Sequence, residues 1–94
     1  MHPHDDLYGA KGAVYAAETL LEQQNFGEAE KVAEQFVNSG TPHLYWLARG
    51  FIALSDAYAG QDRDFEAQEY LKALKDNYPG SEPDIFDMIE ERLK

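Results

Sequence analysis

The sequence predicts an all-α domain of five helices joined by short turns, and three observations carry that prediction. Apolar residues recur three and four positions apart, which is the spacing of one helical face. No stretch alternates apolar and polar residues for long enough to form a strand. Turn-forming glycine and proline cluster at residues 39–42 and 78–83, between periodic segments. At 94 residues we expect a flexible segment over 1–5 and a single domain over 6–94.

The first two segments predict a helical hairpin. The first helix is expected over about residues 6–24 and the second over about 26–39. Asn25 followed by Glu28 has the side-chain types of a capping box, which predicts a helix start at Phe26. The apolar stripes are Ala10, Ala13, Val14, Ala17, Leu20 and Leu21 in the first segment, and Phe26, Ala29, Val32, Ala33, Phe36 and Val37 in the second.

The third segment, over about residues 42–59, carries the longest apolar stripe. Thr41 is expected to cap this helix, with Pro42 at its first position, where a missing N–H has no cost. The stripe consists of Leu44, Leu47, Ala48, Phe51, Leu54, Ser55 and Tyr58, with Ile52 beside it.

Two further segments complete the predicted fold. The fourth, over residues 64–78, presents Phe65, Ala67, Leu71, Leu74 and Tyr78. The fifth, over about 84–93, is surrounded by charged residues, and we expect it to cap the domain by packing Ile85, Met88, Ile89 and Leu93 on the last hairpin.

Composition excludes several classes of function. The chain has 18 acidic residues against 8 basic ones, for a formal charge of −10, so it repels phosphate backbones, and nucleic-acid binding is not expected. It has no apolar run near the length of a membrane span, so no insertion is expected. The absence of cysteine removes disulfides and thiol chemistry. No catalytic or phosphate-binding motif occurs, so we expect neither an enzyme nor a cofactor.

An internal repeat indicates how the helices are arranged. The helix pair recurs after about 38 residues, as repeat 1 over about 9–41 and repeat 2 over about 42–80. Ser55 and Ala67 are expected to be small where two helices approach closely, and larger residues fill the space around them. The repeat-packing residues are predicted to be Ala29, Phe51, Leu54, Ser55, Tyr58, Ala67, Leu71, Leu74 and Pro79.

The spacing of these residues in the second copy resembles the tetratricopeptide repeat (TPR) pattern. Residues 41–58, with the turn at 77–80, look like the C-terminal module of long bacterial multi-repeat TPR proteins, and the likeness covers roughly residues 8–94. It implies a right-handed α-solenoid, with this chain as the terminal piece of a longer protein. It also implies a scaffold that binds proteins and has no catalytic residues.

The TPR resemblance further implies a concave groove lined by the first helix of each pair. Some TPR domains hold a carboxylate tail there with Lys and Asn, but this chain has Val14 with Glu18 and Ile52 with Asp56. A cationic peptide is therefore the expected ligand. The expected groove residues are Lys11, Val14, Tyr15, Glu18, Leu21, Arg49, Ile52 and Asp56, together with Ala53 and Ala59, although several of them could instead contact adjacent helices.

The remaining polar and aromatic candidates leave alternatives open. Tyr45 and Trp46 have the composition of a binding hot spot, or Trp46 packs on the second segment or on an upstream repeat. His43 is expected to meet solvent or a neighbour. A metal site is not expected at the fraying N-terminal cluster of His2, His4, Asp5 and Asp6.

Two hypotheses about the function follow. The chain is a peptide-binding interaction module, or it is a structural cap that ends a longer helical stack. Four alanines on the first helix also predict that the isolated chain self-associates through exposed apolar surface. They are Ala10, Ala13, Ala16 and Ala17.

Overall fold

Five α-helices account for most of the residues that the computed structural model describes, which are residues 7–93. They are α1 (Leu7–Glu22), α2 (Phe26–Val37), α3 (Leu44–Gly60), α4 (Asp64–Asn77) and α5 (Pro83–Leu93). No strand occurs within residues 7–93, so the prediction of an all-α fold is confirmed. The bounds of every helix lie within two residues of those predicted.

The turns that follow α1 and α3 share one hydrogen-bond geometry. In the first, the Asn25 N–H donates to the Leu20 carbonyl at 2.8 Å. In the second, the Arg63 N–H donates to the Tyr58 carbonyl at 2.9 Å. Both bonds span five residues, which is the signature of a Schellman ending. The two turns are 38 positions apart, so the backbone repeats with the period found in the sequence.

Three residues in the turns adopt left-handed backbone conformations. Gln24 and Asp62, with φ of 60° and 62°, occupy equivalent positions in the two Schellman turns. Gly40, with φ of 78°, reverses the chain between α2 and α3. Because a side chain crowds the backbone in this region, glycine suits it and the other two residues are strained.

The predicted capping box of α2 does not form. Asn25 is the N-cap residue, as expected, but its side chain makes no capping hydrogen bond. The Glu28 carboxylate lies 3.5 Å from the Lys31 ammonium instead of reaching back toward the cap.

The start of α3 also differs from the prediction. The helix begins at Leu44 with His43 as its N-cap, so Pro42 precedes the helix and Thr41 does not cap it. The Thr41 hydroxyl instead accepts a hydrogen bond from the His43 N–H at 3.3 Å. This bond is local to the turn, because a threonine side chain can reach the backbone two residues further on.

Helix α3 is the centre of the fold and contacts each of the other four helices. Helices α1, α3 and α5 form a row of neighbours, with α2 contacting both α1 and α3, and α4 contacting both α3 and α5. The starts of α3 and α5 meet at Tyr45 and Asp84, and their ends meet at Asp56 and Arg92. These two helices are therefore parallel.

The core has three parts, and the first of them is made largely of alanine. One joins the two hairpins, one lies under α5 and one lies between α1 and α2. Within the second part, Ile85 and Ile89 are fully buried and attach α5 to the hairpins, at about 1.5–3 kcal/mol for each side chain. The buried members are Ala17, Ala33, Ala53, Leu54, Tyr58 and Ala67; then Ala48, Ile52, Leu71, Ile85 and Ile89; and then Ala10, Val14 and Phe36.

Most of the predicted repeat-packing residues lie inside the protein. Ser55 is buried and satisfies its hydroxyl by donating to the Ile52 carbonyl at 2.7 Å. Phe51 and Leu74 are only partly buried, and Pro79 is exposed. The buried ones are Ala29, Leu54, Ser55, Tyr58, Ala67 and Leu71.

Two glycines let α2 approach α3 closely, and the sequence analysis did not identify them. A Cβ atom on Gly50 would lie 2.6 Å from Cδ2 of Phe36, and one on Gly60 would overlap the ring of Phe26. Each ring of α2 therefore occupies the space that a side chain on α3 would need.

Phe65 does not belong to the core. The predicted apolar stripe of the fourth segment includes it, but its side chain is 77% exposed. The two buried alanines, Ala29 and Ala67, are the equivalent pair, 38 positions apart. In that register Gly27 is the counterpart of Phe65.

Candidate interaction surface

The exposed side of the helix row, here called the α1–α3–α5 face, is crossed by polar and aromatic side chains and by Met88. Those that share one side of a helix recur three, four or seven positions apart. They are Lys11, Tyr15 and Glu18 on α1; Tyr45, Arg49 and Asp56 on α3; and Asp84, Met88 and Arg92 on α5.

Not all of the predicted groove residues lie on this face. Val14 and Ile52 are 1% and 3% exposed, so they cannot contact a ligand. Val14 packs in the core between α1 and α2, and Ile52 is covered because α5 lies against that side of α3. Ala53 is buried as well, and Leu21 packs partly buried against the core.

Glu18 is paired with the protein's own Arg49. An Nη2–Oε2 distance of 2.7 Å joins α1 to α3, and Arg49 also donates to the Tyr45 hydroxyl at 3.3 Å. Partial burial of Arg49 lowers its pKa, but the hydrogen bonds with Glu18 and Tyr45 outweigh that effect, so the pKa is raised. The buried Nε of Arg49 has no hydrogen-bond partner among the described residues.

Asp56 is occupied in the same way by Arg92 of α5. Nε and Nη2 of Arg92 lie 2.7 and 3.0 Å from the two carboxylate oxygens, and its Nη1 donates to the Met88 carbonyl at 2.9 Å. This two-point hydrogen bond raises the pKa of Arg92. Both acids that were expected to meet a cationic peptide, Glu18 and Asp56, are thus neutralised by arginines of the chain.

A cluster here called the Trp46 patch lies where α1 and the start of α3 meet. It consists of Lys11, Tyr15, Tyr45, Trp46 and Arg49. The indole of Trp46 meets Tyr15 and Tyr45 edge to face, with centroids 5.7 and 5.2 Å away. Lys11 Nζ lies 5.8 Å from the indole centroid and the Arg49 guanidinium 5.1 Å. Tyr15 is 51% exposed, so the patch is open to solvent on that side.

Trp46 packs on the protein's own core, which was one of the two alternatives that the sequence left open. Its ring is partly buried and packs against the core formed by Ala10, Val14 and Phe36, as the packing alternative expected. The neighbouring Tyr45 is anchored, because its hydroxyl donates to Asp84 at 2.5 Å. Rings held in this way lose little conformational entropy when they meet a partner.

A third arginine ties α2 to the turn between α3 and α4. Arg63 donates to Glu66 at 2.6 and 3.0 Å, lies 3.3 Å from Glu30 of α2, and places its guanidinium 4.3 Å from the ring centre of Tyr58. Burial, followed by a hydrogen bond with Tyr70, raises the pKa of Tyr58 to about 12.

An apolar trough, here called the α3–α4 groove, opens between the first half of α3 and the second half of α4, with a volume of about 370 Å³. Leu44, Leu47 and Phe51 line one wall and Tyr70 and Leu74 the other. The sequence analysis assigned the α3 residues to a packed stripe, yet Leu44 is 51% exposed. The apolar stripe of α3 is therefore wider than the part of it that α4 covers.

Two other predictions concern metal binding and membrane insertion. The cluster of His2, His4, Asp5 and Asp6 lies outside the described residues, and within them no three His, Asp or Glu side chains converge as a metal site. Over residues 7–93, none of the helices has the length and apolar character needed to cross a membrane.

Comparison of the chain with protein-family models, with curated proteins and with solved structures gave no match.

Proposed function

We propose that the chain is a non-catalytic protein-binding module of TPR-like helical hairpins, ended by α5, and that the α1–α3–α5 face holds a peptide or a partner's surface. The Trp46 patch carries this proposal. Trp, Tyr and Arg are the side chains that dominate binding energy at protein interfaces, and here they are pre-ordered and partly open to solvent.

The repeated backbone supports the TPR-like part of the proposal. Equivalent Schellman turns and equivalent buried alanines recur 38 positions apart, at Gln24 and Asp62 and at Ala29 and Ala67. Helix α5 packs on α3 and α4 as α3 packs on α1 and α2, so it occupies the position of the next first helix.

The ion pairs on this face favour a neutral ligand over the cationic peptide expected from sequence. A cationic ligand would have to displace Arg49 from Glu18 or Arg92 from Asp56, and each arginine would then lose a charge-assisted hydrogen bond. A peptide with an apolar anchor for Tyr15 and a hydrogen-bond acceptor for Lys11 avoids that cost.

The test uses Trp46, the single tryptophan of the chain. Peptides selected from a random display library against the intact chain should shift the Trp46 emission on binding. The double substitution Lys11→Ser with Tyr15→Ser should weaken these peptides at least about tenfold. Phe65→Ser removes an aromatic side chain that is 77% exposed elsewhere, and should leave binding unchanged. Peptides that bind both variants equally, with no change in emission, would refute the proposal.

One observation favours a second candidate, a structural end piece that associates with further helices. Leu7 and Tyr8 of α1 are 41% and 84% exposed, so apolar surface is open at this end of the helix row. Sedimentation should then show concentration-dependent association of the chain that Tyr8→Ser reduces. A monomer at all concentrations would eliminate this candidate.

A further inference from the structure

The α3–α4 groove lies away from the α1–α3–α5 face. We propose that the α3–α4 groove binds a cationic amphipathic helix, with its apolar side chains in the groove and its Lys or Arg residues against Glu69 and Asp76. This inference does not rest on the proposed function, because it uses a different side of α3 and no member of the Trp46 patch.

The chemistry of the groove selects apolar groups. Its walls are leucine, alanine, proline and aromatic side chains with one amide, Asn77, and the polar groups of Asn77, Tyr78 and Tyr70 make hydrogen bonds within the protein. The Asn77 amide donates to the Ala73 carbonyl at 2.7 Å, and the Tyr78 hydroxyl donates to Glu82. The Tyr70 hydroxyl is hydrogen-bonded with Tyr58. A polar ligand would be desolvated in the groove without gaining hydrogen bonds.

The length of the groove fits a helix. The lining residues extend from Leu44 to Phe51 on α3 and from Tyr70 to Asn77 on α4, seven positions in each case. Seven helical positions span about 10.5 Å, which is also the distance between side chains at i and i+7 of a bound helix. Two turns of an amphipathic helix therefore present three anchors, at i, i+3 or i+4, and i+7.

Unpaired carboxylates border the groove on α4. Glu69 and Asp76 lie four positions before and three positions after Ala73, a lining residue, so all three share one side of the helix. Both acids are exposed, and neither forms an ion pair within residues 7–93. Lys72 lies three positions after Glu69 and four before Asp76, so it is next to both acids on the side of α4 away from Tyr70, and the three side chains together keep a net negative charge at the rim.

Lys72 offsets one of the two rim acids, and the other cations near α4 are committed elsewhere. Lys75 pairs with Glu90 of α5, and Arg63 pairs with Glu30 and Glu66. A second copy of the chain is disfavoured as the occupant of this groove, because its excess of carboxylates would face Glu69 and Asp76. The charge around the groove therefore selects a basic partner.

The experiment titrates a dye-labelled helical peptide of about 14 residues into the intact chain and follows fluorescence anisotropy. The peptide carries leucine at i, i+4 and i+7 and lysine on both flanks of that stripe. A second peptide has glutamate in place of lysine, and should bind at least about tenfold more weakly.

Two chain variants locate the site. Leu44→Ser removes an anchor contact at an exposed helix start, where serine is tolerated, and should weaken the lysine peptide at least fivefold without a loss of helicity. Glu69→Gln with Asp76→Asn should weaken it about tenfold at about 0.05 M salt, and much less at about 0.5 M. Glu22→Gln with Asp87→Asn makes the same change in net charge on exposed residues elsewhere, and should have little effect.

Each alternative outcome overturns the inference. Equal binding of both peptides would show that charge does not select the ligand. Equal weakening by the two double variants, each of which removes two carboxylates, would show an effect of net charge alone. A chain that dimerises, with Leu44→Ser abolishing the dimer, would show a second copy in the groove. Binding that shifts the Trp46 emission and is insensitive to Leu44→Ser would place the peptide on the α1–α3–α5 face, which would leave the proposed function standing.

Discussion

Alanine in place of Gly50 tests the contact between α2 and α3 that the sequence analysis did not identify. The added Cβ would lie 2.6 and 2.9 Å from Cδ2 and Cε2 of Phe36, and 3.2 Å from Cγ1 of Val37. The Phe36 ring is 1% exposed, so it has no open space into which it can rotate. The substitution therefore forces α2 away from α3 or distorts the ring.

Two opposing effects set the magnitude. Removing glycine from the interior of a helix stabilises the protein by roughly 0.5–1 kcal/mol. Adding a methyl group to a filled core costs about 1–3 kcal/mol. Gly12→Ala provides the control, because Gly12 lies within α1, is exposed and has no atom within 4 Å of the added Cβ. The free energy of unfolding should therefore be about 1–3 kcal/mol higher for Gly12→Ala than for Gly50→Ala, and this difference is the steric cost.

Thermal and urea unfolding, followed by far-ultraviolet circular dichroism, measures that difference. For a domain of this size, 1 kcal/mol corresponds to roughly 4–8 °C in Tm, so Gly50→Ala should melt at least about 4 °C below Gly12→Ala. Phe36→Leu should reduce the cost of Gly50→Ala in a double-mutant cycle, because the clash involves the ring. If Gly50→Ala is as stable as Gly12→Ala, the close approach of the two helices is refuted.

Three further substitutions test other parts of the fold. Arg92→Met should destabilise the protein by about 1 kcal/mol at low salt and by less at high salt, because it removes the partly exposed ion pair with Asp56. Urea titrations at two salt concentrations measure this loss of stability, and a loss that does not depend on salt would contradict the reasoning. Tyr58 has a folded-state pKa raised to about 12 from 10.0, so its contribution to stability is present below about pH 10 and is lost as the pH rises toward 12. Tyr58→Phe should reduce the change of the urea-unfolding midpoint with pH over that window. An unchanged pH dependence would contradict the raised pKa of Tyr58. Gln24→Gly should stabilise by up to about 1 kcal/mol, because it relieves a left-handed φ of 60°, and a lower Tm would refute that strain.

Periodicity predicted the helices well because each of them buries a stripe of the protein's own surface. The ends were less predictable, since Asn25 and Thr41 both have capping side chains that the local backbone does not use for capping. Phe65 was assigned to the core because its type and spacing fit, but α4 turns a different side toward α3, and Ala67 is buried there instead. A stripe fixes which residues share a face, and it does not fix how much of that face a neighbour covers.

The candidate surface was less predictable because its residues are defined by contacts between helices. The sequence marked Glu18 and Asp56 as acids on the face, but only the packing of α1 and α5 against α3 brings Arg49 and Arg92 to them. Gly50 gave a signal that could have been used, since glycine inside a strongly predicted helix indicates a close backbone approach. The α3–α4 groove gave none, because an apolar residue that lines a groove has the same spacing as one that is fully packed.

The distribution of charge follows from this packing and limits the choice of partner. The chain has 8 basic residues, and the ion pairs engage Lys31, Arg49, Arg63, Lys75 and Arg92 with its own carboxylates. Of the other three, Lys11 lies over Trp46, Lys72 is a neighbour of Glu69 and Asp76 on α4, and Lys94 is outside the described residues. With 18 acidic residues, most of the excess carboxylates have no intramolecular cation to meet. The arginine pairs lie between helices, where they hold the α1–α3–α5 face neutral, so the excess negative charge is displaced to outer sides such as that of α4. We therefore expect an electrostatically steered partner to be cationic and to approach the outer side of α4 rather than the row of α1, α3 and α5.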